Sequence, residues 1–131
     1  MVSSIRPFLM FQGKAEEALR FYVELFPNSK ATEIVRYGPE GPGAEGSVLQ
    51  AKFTLAGQAV TCIDSPVAHP FDFTPSFSFF VECSTEDELR RFTLALSEGG
   101  KTYMPLDNYG FSRLFAWVGD RFGVSWQLNL A

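Results

Sequence analysis

Two thiols and one imidazole are the side chains of this 131-residue chain best suited to covalent or metal chemistry. Cys62 and Cys83 lie far apart and form no C-x-x-C pair, so they build neither a dithiol redox couple nor half of a zinc knuckle. Two reduced thiols packed in strands are the plain reading. The single histidine, His69, rules out a His-x-Glu or paired-His zinc site. His69 with Cys62 and Asp64 could in principle hold zinc. Alone, His69 is either a solvated loop residue or a general base at a pocket rim, because imidazole titrates near neutrality. Cys62 alternates with Val60 and Asp64 and would act as a nucleophile only beside a base or a positive charge. The sequence supplies neither, so the alternative is a packed thiol or one that touches a ligand. The catalytic residues stay unassigned, with Cys62 and His69 as candidates.

Composition narrows the setting of these groups. The formal net charge is −4 and the 11 Lys and Arg are scattered, so no basic stripe is available for a phosphate backbone and no nucleic-acid partner is expected. The longest apolar run, at 77–81, is far too short to span a bilayer, and residues 1–7 lack a signal peptide's charged-then-apolar layout. The expectation is a cytoplasmic protein with no membrane partner. Fourteen Phe, four Tyr and two Trp are more rings than a small core readily hides, which points to a cavity or a subunit interface for the excess.

Those side chains must be carried by strands and helices. The patterning predicts a strand over 5–11 and a helix over 14–26, where Ala15, Ala18, Leu19, Tyr22 and Phe26 recur at steps of three and four. Strands follow over 31–37, 47–55 and 58–64, the last two joined by a hairpin at Ala56-Gly57. The Gly- and Pro-rich stretch 38–46 is a loop, as is 65–75. A strand over 76–81 leads to a second helix over 85–97, with Ser84 or Thr85 as its cap, acidic residues in its first turn and Gly99-Gly100 as its stop. Strands over 101–105, 113–118 and 124–130 complete the chain. The order is βαβββ twice. Shifting the first half by about 71 positions aligns Glu16, Glu17, Arg20, Phe21 and Leu25 with Asp87, Glu88, Arg91, Phe92 and Leu96, an internal repeat consistent with that order.

Strand alternation sorts faces. Phe77, Phe79 and Val81 share one face, suited to packing on a helix, and Ser76, Ser78 and Phe80 the other. Trp126, Leu128 and Leu130 oppose Ser125, Gln127 and Asn129. The polar set fits either solvent or a hydrogen-bonding pocket wall, to which Tyr37, Phe53, Trp117, Phe71 and Phe73 could add apolar surface.

Several blocks carry a resemblance. Phe11-Gln12-Gly13-Lys14-Ala15-Glu16-Glu17-Ala18, Phe21-Tyr22 and Phe26-Pro27-Asn28-Ser29 resemble the start of a glyoxalase/bleomycin-resistance-like domain of the vicinal oxygen chelate superfamily. Arg36-Tyr37-Gly38, Phe73-Thr74-Pro75-Ser76, Leu96-Ser97-Glu98-Gly99-Gly100 and above all the block from Asp120 to Leu128 are similar to its PhnB-like branch, labelled 3-demethylubiquinone-9 3-methyltransferase. The resemblance implies an α+β fold of two βαβββ modules, about 1–66 and 67–131. These would curl into one open mixed sheet in a single domain, helices on the convex side, a small-molecule pocket on the concave side, and a homodimer.

Metal-dependent members of the superfamily place four ligands on that concave face. Carried over, the positions fall near Pro7 or Phe8 and at Cys62, Ser76 and Gln127, a set short of the His, Glu or Asp that divalent oxygen chemistry wants. No catalytic metal and no cofactor are therefore expected. The glycines at 38, 41, 43 and 46 lie with prolines between two strands, unlike the strand-to-helix turn of a nucleotide-binding fold, so methyl-transfer chemistry gains no support. The pocket residues this reading names are Phe8, Tyr37, Phe53, Cys62, Ser76, Ser78, Trp117 and Gln127. The leading expectation is metal-free binding of a small apolar or aromatic molecule. The alternatives are an enzyme of unassigned reaction and an interaction module without a ligand.

Overall fold

The computed structural model describes residues 1–131. Its elements run β1 (Phe8–Phe11), α1 (Ala15–Leu25), β2 (Lys30–Arg36), β3 (Val48–Leu55), β4 (Gln58–Asp64), β5 (Ser78–Glu82), α2 (Glu86–Ser97), β6 (Lys101–Asp107), β7 (Leu114–Gly119) and β8 (Ser125–Leu130). The βαβββ order thus occurs twice, in two compact units, Met1–His69 and Pro70–Ala131. The strands form two four-stranded sheets, β1-β4-β3-β2 and β5-β8-β7-β6, rather than the one curled sheet expected. In each, the first strand of the unit pairs in parallel with the last, and the other neighbours are antiparallel. The architecture is α+β, and no helix is long and apolar enough to cross a membrane.

In the first unit, α1 lays Ala15, Ala18, Leu19 and Tyr22 against the sheet, all of them fully buried. Beneath it, Ala51 pairs with Cys62 and Phe53 with Val60, so these four side chains share the helix-covered face. Asp64 lies on the same face, two residues beyond Cys62. α1 has no capping side chain of its own at Lys14. Asp64 does that work from the end of β4: its Oδ1 accepts the backbone N–H of Gly13 at 2.8 Å and of Ala15 at 3.0 Å, and its Oδ2 accepts that of Val48 at 2.8 Å. A negative charge at the amino end of a helix also meets the positive end of its dipole. On the outer side, Glu16 accepts from Arg36 at 2.7 Å and from Arg20 at 3.0 Å, tying α1 to β2. The Arg36 hydrogen bond, with a smaller contribution from Arg20, holds the Glu16 carboxyl below its usual range.

The glycine-rich stretch after β2 is a loop, as expected, and it closes over the Tyr37 ring. A Cβ on Gly43 would fall 2.5 Å from that ring, which is why a side chain is excluded there. At the β3–β4 hairpin, Ala56 (φ 48°) and Gly57 (φ 88°) both sit in the left-handed region, as a two-residue type I′ turn requires.

In the second unit, Thr85 caps α2 by accepting the Glu88 N–H at 3.2 Å, while the Glu88 carboxylate accepts the Ser84 N–H at 2.9 Å. Leu89, Phe92 and Leu96 are the buried residues of α2, and Val118, Trp126 and Leu128 are fully buried in β7 and β8. Phe79 stacks on Trp126 at 4.7 Å, in keeping with the face expected for it. Phe77 does not join them: β5 starts only at Ser78, and Phe77 is exposed ahead of it. β6 runs past Pro105 to Asp107. A proline is tolerated there because β6 is an edge strand, and its ladder shifts register between Met104 and Asp107. The β7–β8 turn is built on Asp120, whose buried carboxylate accepts from the N–H groups of Phe122 (2.9 Å) and Val124 (3.0 Å) and from the Trp126 indole (2.9 Å).

Candidate functional site

On the face of the second sheet opposite Trp126 and Leu128, the strand registers set side chains in rows across the strands. Ser78 and Ser125 form one row; Phe80, Gln127, Trp117 and Met104 form the next; Glu82, Asn129 and Phe115 form the third. Phe80, Met104, Phe115, Trp117, Gln127 and Asn129, together with Phe111 and Ser112 from the loop before β7, line a cleft of about 500 Å³. Its walls are aromatic. Phe111 meets Phe115 edge-on at 4.9 Å, Tyr109 stacks on Phe111 at 6.2 Å, and Phe80 lies 6.4 Å from Phe115. Tyr103 leans on Trp117 at 5.1 Å, filling the space that Gly119 leaves.

A polar chain runs along one side of this wall. The Trp117 indole N–H donates to Ser125 Oγ at 2.8 Å, Ser125 and Ser78 share a 2.6 Å hydroxyl contact, and Gln127 Nε2 donates to Ser78 Oγ at 3.3 Å. One row on, Asn129 Nδ2 donates to the Glu82 carboxylate at 3.0 Å. The alternating polar set of β8 is therefore buried or half-buried wall, not a solvated face. Ser78, Trp117 and Gln127, three of the residues named from sequence, come together here.

The others do not. Cys62 is on the helix-covered face of the first sheet with none of its surface exposed, and burial, with the nearby Asp64 charge adding to it, pushes its thiol up to about 12. This corrects its expected place on a pocket wall and leaves no thiolate for nucleophilic work. Phe53 shares that face and is buried, and Tyr37 is buried under the glycine-rich loop, so neither lines the cleft. Phe8 is exposed on edge strand β1, with its side chain on the opposite face from Leu9 and Phe11. Ser76 is exposed ahead of β5 and bonds Thr74 Oγ1 at 2.7 Å. His69 lies in the segment after β4, where its Nε2 is 2.9 Å from Ser65 Oγ. Cys83 is half-buried and its thiol is pushed up to about 11, chiefly by burial. Phe80, Met104, Ser112 and Phe115 are not among the pocket residues expected from the sequence, whereas Asn129 belongs to the polar set that fits a wall. Alternation had already put Asn129 beside Gln127, but nothing in it told which face the helix would cover.

A superfamily-type metal centre does not fit these residues. Of the carried-over positions, Cys62 is sealed under α1, Phe8 has no donor atom, and Ser76 is outside the strand. No group of three or more His, Cys, Asp or Glu is placed to hold an ion. The glycine-rich loop likewise offers no phosphate cradle, since Tyr37 fills the space beneath it.

Comparison with known proteins covers nearly the whole chain. The 3-demethylubiquinone-9 3-methyltransferase family matches residues 3–129. The PhnB protein from Bacillus cereus is 51% identical over 98% of this chain and 100% of its own, with a TM-score of 0.96. Protein PA1353 from Pseudomonas aeruginosa is 26% identical over 98% of each chain, with a TM-score of 0.85. The fosfomycin resistance protein FosX from Listeria monocytogenes is only 11% identical over 100% of this chain and 95% of its own; its TM-score of 0.62 speaks for the fold alone. No curated protein shows significant similarity to the chain.

Proposed function

The chain belongs to the 3-demethylubiquinone-9 3-methyltransferase family, PhnB-like, with the fold of the vicinal oxygen chelate superfamily, and from that premise we propose that it binds a small apolar or aromatic molecule without a catalytic metal. The observation that carries this reading is the cleft in the second unit. It has the size of a small-molecule site, is walled mainly by aromatic rings, and is edged by a few fixed polar groups. Neither candidate for covalent or acid–base work lines it, so a binding role fits better than turnover. An interaction module would fill such a recess with its own side chains. Two free cysteines, one fully buried, suit a reducing cytoplasm, and a homodimer is the assembly in which we expect it to act.

Thermal-shift titration with uncharged bicyclic aromatics tests the reading. At about 100 times Kd a ligand adds about 2.7 kcal/mol of stability. Phe111→Ser, at an exposed rim position, should weaken binding about tenfold with the fold intact. No shift with any aromatic probe would sink the proposal, and a stoichiometric divalent ion found by elemental analysis of protein purified without chelator would sink its metal-free part.

A further inference from the structure

The polar groups of the cleft are not symmetric in what they offer. Gln127 and Asn129 follow one another on the same face of β8, and each is fixed through its amide nitrogen: Gln127 Nε2 on Ser78 Oγ, Asn129 Nδ2 on the Glu82 carboxylate. Their oxygens, Gln127 Oε1 and Asn129 Oδ1, accept from no group of the protein, yet neither is sealed away from solvent, because no buried side-chain oxygen lacks a partner. They are acceptors left open at the cleft. The strongest donor of the wall, the Trp117 indole N–H, is already bound to Ser125. No Lys, Arg or His lines the cleft, and the one charge bonded to its wall is the Glu82 carboxylate. A ligand therefore meets flat rings above and open carbonyl oxygens along one edge.

Resting on the binding role proposed for this cleft, we infer that it selects a flat ring carrying an O–H or N–H donor over the same ring carrying only acceptors, with Gln127 and Asn129 the residues that read the donor. An acceptor-only ligand would leave two desolvated carbonyl oxygens unpaired and set its own lone pairs against them, and a site built to hydrogen-bond a group discriminates against an analogue that lacks it. Ser112, the only hydroxyl among the lining residues, can serve either kind of ligand and does not reverse the preference.

The test is a matched pair, 2-naphthol and 2-methoxynaphthalene, both uncharged at pH 7, titrated into the whole protein by calorimetry. The expected result is about tenfold tighter binding of 2-naphthol, the gain of one well-made hydrogen bond. Gln127→Met keeps the length of the side chain and removes its acceptor, and should cut the ratio by about half or more, with Asn129 Oδ1 left as the remaining acceptor. Equal affinities in the unmodified protein, or tighter binding of the methoxy compound, overturn the donor preference and leave the cleft reading standing. Binding of neither overturns both. The wild-type ratio decides the matter even if the variant fails to fold.

Discussion

In the first unit the amino end of α1 is closed by Asp64, which arrives from the end of β4, whereas in the second α2 is closed by Thr85 directly before it, with Glu88 reaching back. Each unit also buries one aspartate against three N–H donors. Asp64 bridges helix, loop and sheet; Asp120 stays within the β7–β8 turn and the first residues of β8. The same element order is thus held by different residues. The first unit commits its buried carboxylate to fastening the helix. The second caps its helix locally, and the polar residues of its last strand are turned to the uncovered face, where the cleft forms. Repeated topology sets where a site can be, and the side chains at strand ends decide which copy has one.

Removing the two carboxylates is the hardest test of this contrast. Asp64→Ala and Asp120→Ala each strand three N–H donors, and each should cost roughly 3–5 kcal/mol in urea unfolding. Only Asp64→Ala should also reduce helical circular dichroism before global unfolding, because only Asp64 caps a helix. Equal helix loss in both variants would break the comparison. Next comes Gly100→Ala. Its Cβ would sit 2.0 Å from the Gly119 carbonyl oxygen, and we expect a loss of about 3 kcal/mol. Gly57→Ala, at φ 88° with open space around it, should lose only about 1 kcal/mol. A reversed order would show that backbone strain, not close approach, governs these turns.

The thiols separate the units by pH. Raised folded-state values mean that the native protein holds these protons more tightly than the unfolded chain. Their stabilisation is complete below the ordinary thiol value of 9.0 and is lost as pH rises toward about 12 for Cys62 and about 11 for Cys83. Stability should fall above pH 9 with a slope approaching about 1.4 kcal/mol per pH unit for each thiol. Cys62→Ala and Cys83→Ala should each flatten the fall between pH 9 and about 11, and only Cys62→Ala should still flatten it between about pH 11 and 12, as read from denaturation midpoints between pH 8 and 12. The smallest effect is a gain. Ala56 pays for a left-handed φ of 48° in the hairpin, and Ala56→Asn should add roughly 0.5–1 kcal/mol to the first unit.

Much of this was legible from residue patterns. All eight strands and both helices occur in the order expected, because alternation, helical spacing and turn residues agree with one another along each segment. The polar alternation of Ser125, Gln127 and Asn129 left solvent and a wall open, and the structure buries or half-buries all three. Cys62 was misplaced for a physical reason. The family resemblance places Cys62 on the concave face, while alternation groups Val60, Cys62 and Asp64 without telling which face the helix covers, and only the long-range N–H partners of Asp64 show that it covers this one. Phe80 and Phe115 could not be assigned to one cleft because they meet only through the pairing of β5 and β7 with β8, elements distant in sequence.

The parallel pairing of first and last strands bears on how fast each unit assembles. Phe8 must meet Thr61, and Ser78 must meet Ser125, across about fifty residues in each case, so the entropy of closing the two loops is nearly equal. What differs is the hairpin that prepares the receiving strand. β3 and β4 are joined by two residues already in hairpin geometry, while β7 and β8 need a longer turn whose order depends on Asp120. The first unit should therefore present its docking strand sooner, with the four-residue β1 the last piece to arrive at its edge and the first to detach.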